Sequence, residues 1–195
     1  MNLLMGTVIL SLAFASGYDQ ATSAASRSSS EPPRVRTADA TVAGTMRQAL
    51  EVSPTFRRLA EAIQATDGIV YVERGSCDES ATGCLRFGSV AGPNRILRVT
   101  LSAKRRDVDA GTIAHELQHA VEVLQSPGVT FAVAMTSFYL RVGVSGNTSG
   151  RTRETAAAIA AGNAVRAEMR AANRAAARRR LDAAPADVID ITASR

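Results

Sequence analysis

The sequence predicts an α+β fold, and three observations predict it. Runs rich in β-branched residues, Ile69–Glu73, Cys84–Val90 and Arg95–Ser102, are bounded by glycine and other turn formers, the mark of strands. Ala91-Gly92-Pro93-Asn94 separates the last two as a hairpin turn, so a small antiparallel sheet is expected. Longer stretches with apolar residues at helical spacing lie before and after these strands.

The chain has 195 residues, enough for one domain of ordinary size plus extras. Hydrophobic residues make up 46 %, which supports a core, although much of that share is alanine. The net charge of +5 comes almost wholly from arginine, since Lys104 is the sole lysine. A basic balance permits contact with nucleic acid or an anionic surface without indicating it. Arg166, Arg170 and Arg174 share one helix side and read as a solvated face, so no nucleic-acid partner is expected.

Met1–Ala15 is uncharged and apolar from Leu3 onward, too short for a membrane span of about 20 residues. It suits the apolar core of a signal peptide, with Ala13-Phe14-Ala15 as the small-x-small cleavage site. The expectation is an exported protein, periplasmic or secreted, without a transmembrane anchor. Residues 16–39, with Ser28-Ser29-Ser30-Glu31-Pro32-Pro33, read as a disordered linker. The folded domain is expected over 40–181, followed by a flexible tail, 182–195.

Within the domain, Thr41–Glu51 and Pro54–Thr66 read as helices. Ser53 caps the second, Pro54 enters its first turn, and Phe56, Leu59, Ala60 and Ile63 mark its buried face. Cys77 and Cys84, flanked by Gly75 and Gly83, are expected to form a disulfide stapling the tip of a hairpin, in keeping with export. The strand Arg95–Ser102 immediately precedes the next helix, and its edge is expected to line a cleft and to pair with an extended peptide. Pro127-Gly128 stops that helix. Val129–Val142 reads as another, Gly143–Gly150 as a glycine-rich loop, and Thr152–Leu181 as a long alanine-rich helix.

The chemistry lies in Asp109–Gln125. Asp109 is an N-cap candidate, and Ile113, Leu117, Ala120, Val121 and Leu124 form an apolar stripe roughly opposite His115 and His119. These are the chain's two histidines, four residues apart in His115-Glu116-Leu117-Gln118-His119. Helical spacing stacks them on one face, where both imidazoles can bind one metal ion, at roughly 2.0–2.1 Å if it is zinc. Glu116 flanks that site and can take a proton from a metal-bound water as general base.

A catalytic zinc site usually has three protein ligands. Glu122 lies on the same face, but the helix rises about 10 Å between His115 and Glu122, too far for all three to converge. It is expected to orient an imidazole N–H instead. Glu154, with the small residues Ala157, Ala158 and Ala161 continuing its face, is the preferred third ligand, and Glu168 is a competitor.

His115, Glu116 and His119 in a helical HExxH, with Glu154 on a second, downstream helix and strands before the first, resemble the zincin fold. More narrowly they resemble the gluzincin metallopeptidases, and the motif with the Glu154-Thr155 helix opening is similar to short exported bacterial proteins. The resemblance implies Zn2+ held by His115, His119 and Glu154, hydrolysis with Glu116 as general base, and a peptide or protein substrate. No downstream histidine is present to stabilise an oxyanion, which leaves Tyr139 or Arg141 for that role. The alternative is an exported HExxH-fold binding protein without catalysis.

Overall fold

The computed structural model describes residues 31–77, 81–105, 107–145 and 153–182. The expected signal peptide, most of the expected linker and all but the first residue of the expected tail lie outside them. The chain divides into Met1–Pro32 and a compact unit, Pro33–Arg195. The second unit is α+β, with five helices and a small mixed sheet among the described residues.

It opens with a two-residue strand, β1 (Val35–Arg36), inside the stretch read as linker. Helices α1 (Ala40–Val52) and α2 (Pro54–Gln64) follow, then strands β2 (Gly68–Gly75), β3 (Gly83–Ala91) and β4 (Asn94–Ser102). Next come α3 (Ala110–Leu124) and α4 (Ala132–Val142). The short strands β5 (Val144–Ser145) and β6 (Arg153–Glu154) pair with each other before the long helix α5 (Ala156–Asp182). Local chemistry sets many of these bounds. Asp39 caps α1 by accepting from Thr41 N and Val42 N, and Ser53 caps α2 by accepting from Phe56 N with Pro54 in its first turn.

The sheet corrects one expectation. Its order is β1-β2-β4-β3, with β1–β2 and β2–β4 parallel and only β3–β4 antiparallel. The sheet is therefore mixed rather than antiparallel, and β4 is central, without a free edge. The physical reason is burial. On β4, Leu97, Val99 and Leu101 are all in the core, whereas Arg86, Gly88, Ser89 and Val90 of β3 are exposed. A strand buried this fully takes the interior of a sheet, and the more polar one takes the edge. Gly92, at φ +58°, makes the two-residue turn of the β3–β4 hairpin possible.

Cys77 and Cys84 are bonded, their Cα atoms 5.9 Å apart. The bond does not staple a hairpin tip, because β2 and β3 are not neighbours. It clips the connection between the two strands that flank β4, beside the β4 residue Thr100 that pairs with Cys84.

Helix α3 is the hub. Ile113, Leu117, Ala120, Val121 and Leu124 are all buried, and the helix contacts the sheet, α2 and α5. Its approach to α5 is close because both helices present glycine at the crossing. A Cβ on Gly111 would lie 2.7 Å from the Gly162 carbonyl oxygen, and one on Gly162 would lie 2.9 Å from that of Gly111. Asp109 caps α3 by accepting from Gly111 N and Thr112 N, and Arg166 of α5 donates to the same carboxylate at 2.7 Å. Arg166 therefore ties two helices together rather than belonging to a solvated arginine face.

Glu168, a competitor for the third ligand, is occupied elsewhere. Its carboxylate accepts from Ser53 Oγ, from Thr55 Oγ1 at 2.8 Å and from Thr55 N at 3.2 Å, placing negative charge at the N-terminus of α2. Replacing Glu168 with alanine is expected to cost about 2 kcal/mol, because charge-assisted bonds from two hydroxyls and an amide are lost. Burial alone would raise the Glu168 carboxyl, but Ser53 and Thr55 outweigh it and hold the carboxyl below its ordinary value. A lowered folded-state pKa means stabilisation above the unfolded value that fades as pH falls through the folded one. The Tm gap between wild type and Glu168→Ala should thus narrow in acid. A gap that widens would contradict this account.

Candidate metal centre

Four side chains meet where α3 faces the start of α5. The helical spacing of His115 and His119 brings their rings to 4.9 Å between centroids. Glu154 comes from β6, one residue before α5's cap at Thr155, and not from the helix itself. The expected helix start at Thr152 fails because Arg153–Glu154 pair with Val144–Ser145 in the small β5–β6 ladder. An extended backbone, rather than a helical turn, carries the carboxylate.

Glu154 Oε2 lies 2.8 Å from His115 Nε2 and 3.7 Å from His119 Nε2. One ligand atom from each residue can be chosen so that all three lie within 4.8 Å of one another. A tetrahedral ion with arms of 2.0–2.2 Å would set adjacent ligand atoms about 3.4 Å apart, so the two carboxylate–imidazole spacings bracket that value. Glu154 Oε2 is also buried without accepting a directed hydrogen bond, despite the two ring nitrogens beside it. Buried carboxylate oxygens are normally satisfied. An unsatisfied oxygen next to two imidazole nitrogens fits a shared cation, and the donor set of two nitrogens and one oxygen suits it. The group could hold a metal ion.

The surroundings are charged in a consistent way. The neighbouring His115 imidazole, then His119, hold the Glu154 carboxyl down to about 2. Burial pushes the His119 imidazole down, but the neighbouring carboxylates of Glu122 and then Glu154 outweigh it and bring it up to about 9. A metal ion held by this group would displace a proton from His119. Burial pushes the Glu116 carboxyl up to about 7 against the opposing pull of His119 and His115.

Glu122, expected to orient an imidazole N–H, has its Oε2 3.0 Å from His119 Nδ1. Its Oε1 accepts from Thr155 Oγ1 at 2.7 Å. This arrangement leaves His119 Nε2 directed toward Glu154. Tyr139 of α4 packs edge-on against the His119 ring and donates its hydroxyl to the His119 carbonyl oxygen at 2.9 Å. That bond uses the only proton the phenol has to donate, and burial pushes the phenol's pKa up, so Tyr139 supports the histidine backbone rather than facing an oxyanion. Arg141 is exposed and does not line the site. Tyr139 lines the cavity with its hydroxyl engaged by the backbone, whereas Arg141 stands outside it.

His115, Glu116, His119 and Glu154 line a cavity of about 360 Å3. Its walls include Gly83, Cys84 and Leu85 of β3 and Met135, Thr136 and Leu140 of α4. The cleft-lining edge strand is thus β3, not β4. Gly83 is required here by proximity. A Cβ at that position would fall 2.8 Å from Glu116 Oε1 and 3.0 Å from Thr112 Cγ2. Gly83→Ala is expected to shift the Glu116 carboxylate, for a stability loss of only about 1 kcal/mol. A denaturant melt checks this, and a loss above about 3 kcal/mol would show that Glu116 does not yield to the methyl.

Gly83 and Arg95 matter through partners distant in the chain, which no local pattern encodes, and Thr155 reads in the sequence only as part of a helix opening. Asp109 was legible as a cap. The fold and site together define an α+β protein with a two-histidine, one-carboxylate group on a cavity wall. Comparisons with protein-family models, with curated proteins and with solved structures each found no match.

Proposed function

We propose that this protein is a zinc-dependent hydrolase acting on peptide bonds, of the gluzincin kind that its HExxH helix resembles. The observation that carries the reading is the convergence of His115, His119 and Glu154 beside a buried, proton-accepting Glu116 on one cavity wall. When bound, zinc supplies a Lewis acid that polarises a carbonyl and makes water acidic near neutrality. His115, His119 and Glu154 are the residues that hold it, and Glu122 keeps the His119 ring in register.

Glu116 accepts the proton of the attacking water at a carboxylate oxygen and delivers it to the departing amine. A carboxyl brought by burial to about 7 suits both halves of that task at neutral pH. The open edge of β3 offers backbone N–H and C=O groups to an extended substrate. Proline substitution at an exposed β3 position should weaken peptide turnover while leaving zinc binding intact.

Export fits the Cys77–Cys84 bond and the apolar Leu3–Ala15 segment. Among the described residues, no helix is long and apolar enough to cross a membrane.

A second reading, an exported metal-binding protein without catalysis, is favoured by one observation. Both side chains proposed for the oxyanion are directed elsewhere. Purified protein separates the readings. The hydrolase binds about one zinc per chain, loses it to chelators and cleaves members of a peptide library. Stoichiometric zinc with no turnover supports the second reading, and the absence of zinc binding removes both.

A further inference from the structure

We propose that Thr155 is a positioning residue whose hydroxyl joins the His119-orienting carboxylate to the segment bearing Glu154, and thereby sets the metal affinity of the site. The inference rests on the metal-binding part of the reading above, not on catalysis.

Two bonds saturate the role. Thr155 Oγ1 accepts from Ala158 N at 3.1 Å, which caps the start of α5. Its one hydroxyl proton is then donated to Glu122 Oε1 at 2.7 Å. Glu122 uses its other oxygen, Oε2, on His119 Nδ1 at 3.0 Å. The next residue back along the chain, Glu154, places Oε2 against both imidazoles.

A continuous path thus runs from His119 through Glu122 and Thr155 to Glu154. It joins α3 to the β6–α5 junction, at the end of the helix pair remote from the Arg166–Asp109 tie, and between the two ties the helices meet through Gly111 and Gly162. Helix packing alone tolerates sliding between α3 and α5, whereas three ligand atoms must be held to within a few tenths of an ångström. The hydroxyl supplies the missing direction. A residue that only capped α5 would need to accept, and its donated proton would have no required target.

The experiment is zinc affinity by competition with a chromophoric chelator, on the full chain. Thr155→Val keeps the shape and removes both bonds, and is expected to weaken zinc binding about tenfold to a hundredfold. Thr155→Ser keeps both bonds and should stay within about threefold of wild type. In a Glu122→Ala background, Thr155→Val should cost almost nothing further, since its target is gone, whereas a lost cap would cost the same in both backgrounds. Glu168→Ala, which destabilises a distant part of α5, serves as the stability control and should leave affinity unchanged. Thr155→Ala replaces Thr155→Val if the latter does not fold.

The proposal is overturned if Thr155→Val binds zinc as wild type does, if Thr155→Ser loses as much, or if the Thr155→Val loss persists undiminished in Glu122→Ala. Wild-type protein that binds no zinc overturns the metal reading itself, and this proposal with it.

Discussion

Replacing Glu116 with glutamine is expected to leave zinc bound and to reduce peptide turnover by about a hundredfold to ten-thousandfold, the usual contribution of a positioned general base. The substitution is nearly isosteric and removes only the capacity to accept and return a proton. Glu116 is 6 % exposed and faces the cavity beside His115 and His119, so an amide there fills the same space against Gly83. The cost should fall on kcat, because the lost proton transfer belongs to the transition state rather than to substrate binding. Metal content, measured on the same samples, separates lost chemistry from a lost site. If Glu116→Gln hydrolyses peptides as fast as wild type, Glu116 is not the base. If both proteins are equally inert, the non-catalytic binding reading stands.

The second large effect lies 20 residues upstream of His115, at Arg95. Its side chain is only 7 % exposed and serves two clients. Nε and Nη2 hold Asp67 at 2.7–3.0 Å. Nη1 donates to the carbonyls of Val123, Ser126 and Val129 at 3.0–3.2 Å, and Nη2 donates to Leu124 O at 2.5 Å. The guanidinium thus ties off the C-terminal end of α3, where the backbone's carbonyls lack helical partners and the helix dipole is negative.

Arg95→Ala removes a donor from each of these carbonyls, of which Val123 and Ser126 keep the backbone amides of Ser126 and Val129, and takes the guanidinium away from Asp67. Each unsatisfied buried group costs about 1–3 kcal/mol before water enters. The Asp67 side chain is 45 % exposed, so the ion pair itself adds little, and the buried carbonyls set the loss expected in a denaturant melt, about 2–3 kcal/mol. Lysine should recover only part, since one ammonium cannot bridge a carboxylate and a ring of carbonyls. A loss below about 1 kcal/mol for alanine would mean that water replaces the guanidinium freely, against the burial described here.

Much of the site was readable because it is local. The spacing of His115 and His119, the Asp109 cap and the apolar stripe from Ile113 to Leu124 all depend on residues within one or two helical turns. The same holds for Ser53-Pro54 at the start of α2. Strand runs were legible for a similar reason, but their pairing was not. Which of β3 and β4 lies inside the sheet depends on what packs against each, and β2 is their partner only through a parallel register that no local pattern encodes. The strand that lines the cavity is therefore β3 rather than β4, and the disulfide closes a strand connection rather than a hairpin tip.

Glu154 shows the division most directly. The residue was picked out from the sequence, but its conformation was not, because the ladder that holds it extended pairs Arg153–Glu154 with Val144–Ser145, a segment apart from it in the chain. An arginine on a strand reads as exposed until α3 is seen ending over it, and a threonine at a helix start reads as a cap until Glu122 is seen opposite. By itself, the sequence determined the helices, their caps and the pair of imidazoles on one face. Only the tertiary structure decided which strand lines the cavity, how the third carboxylate reaches the imidazoles, and which buried polar groups hold the parts in place. The reason is range: backbone propensity and side-chain spacing act over a few residues, while burial and hydrogen-bond satisfaction are settled between residues that meet only in the folded chain.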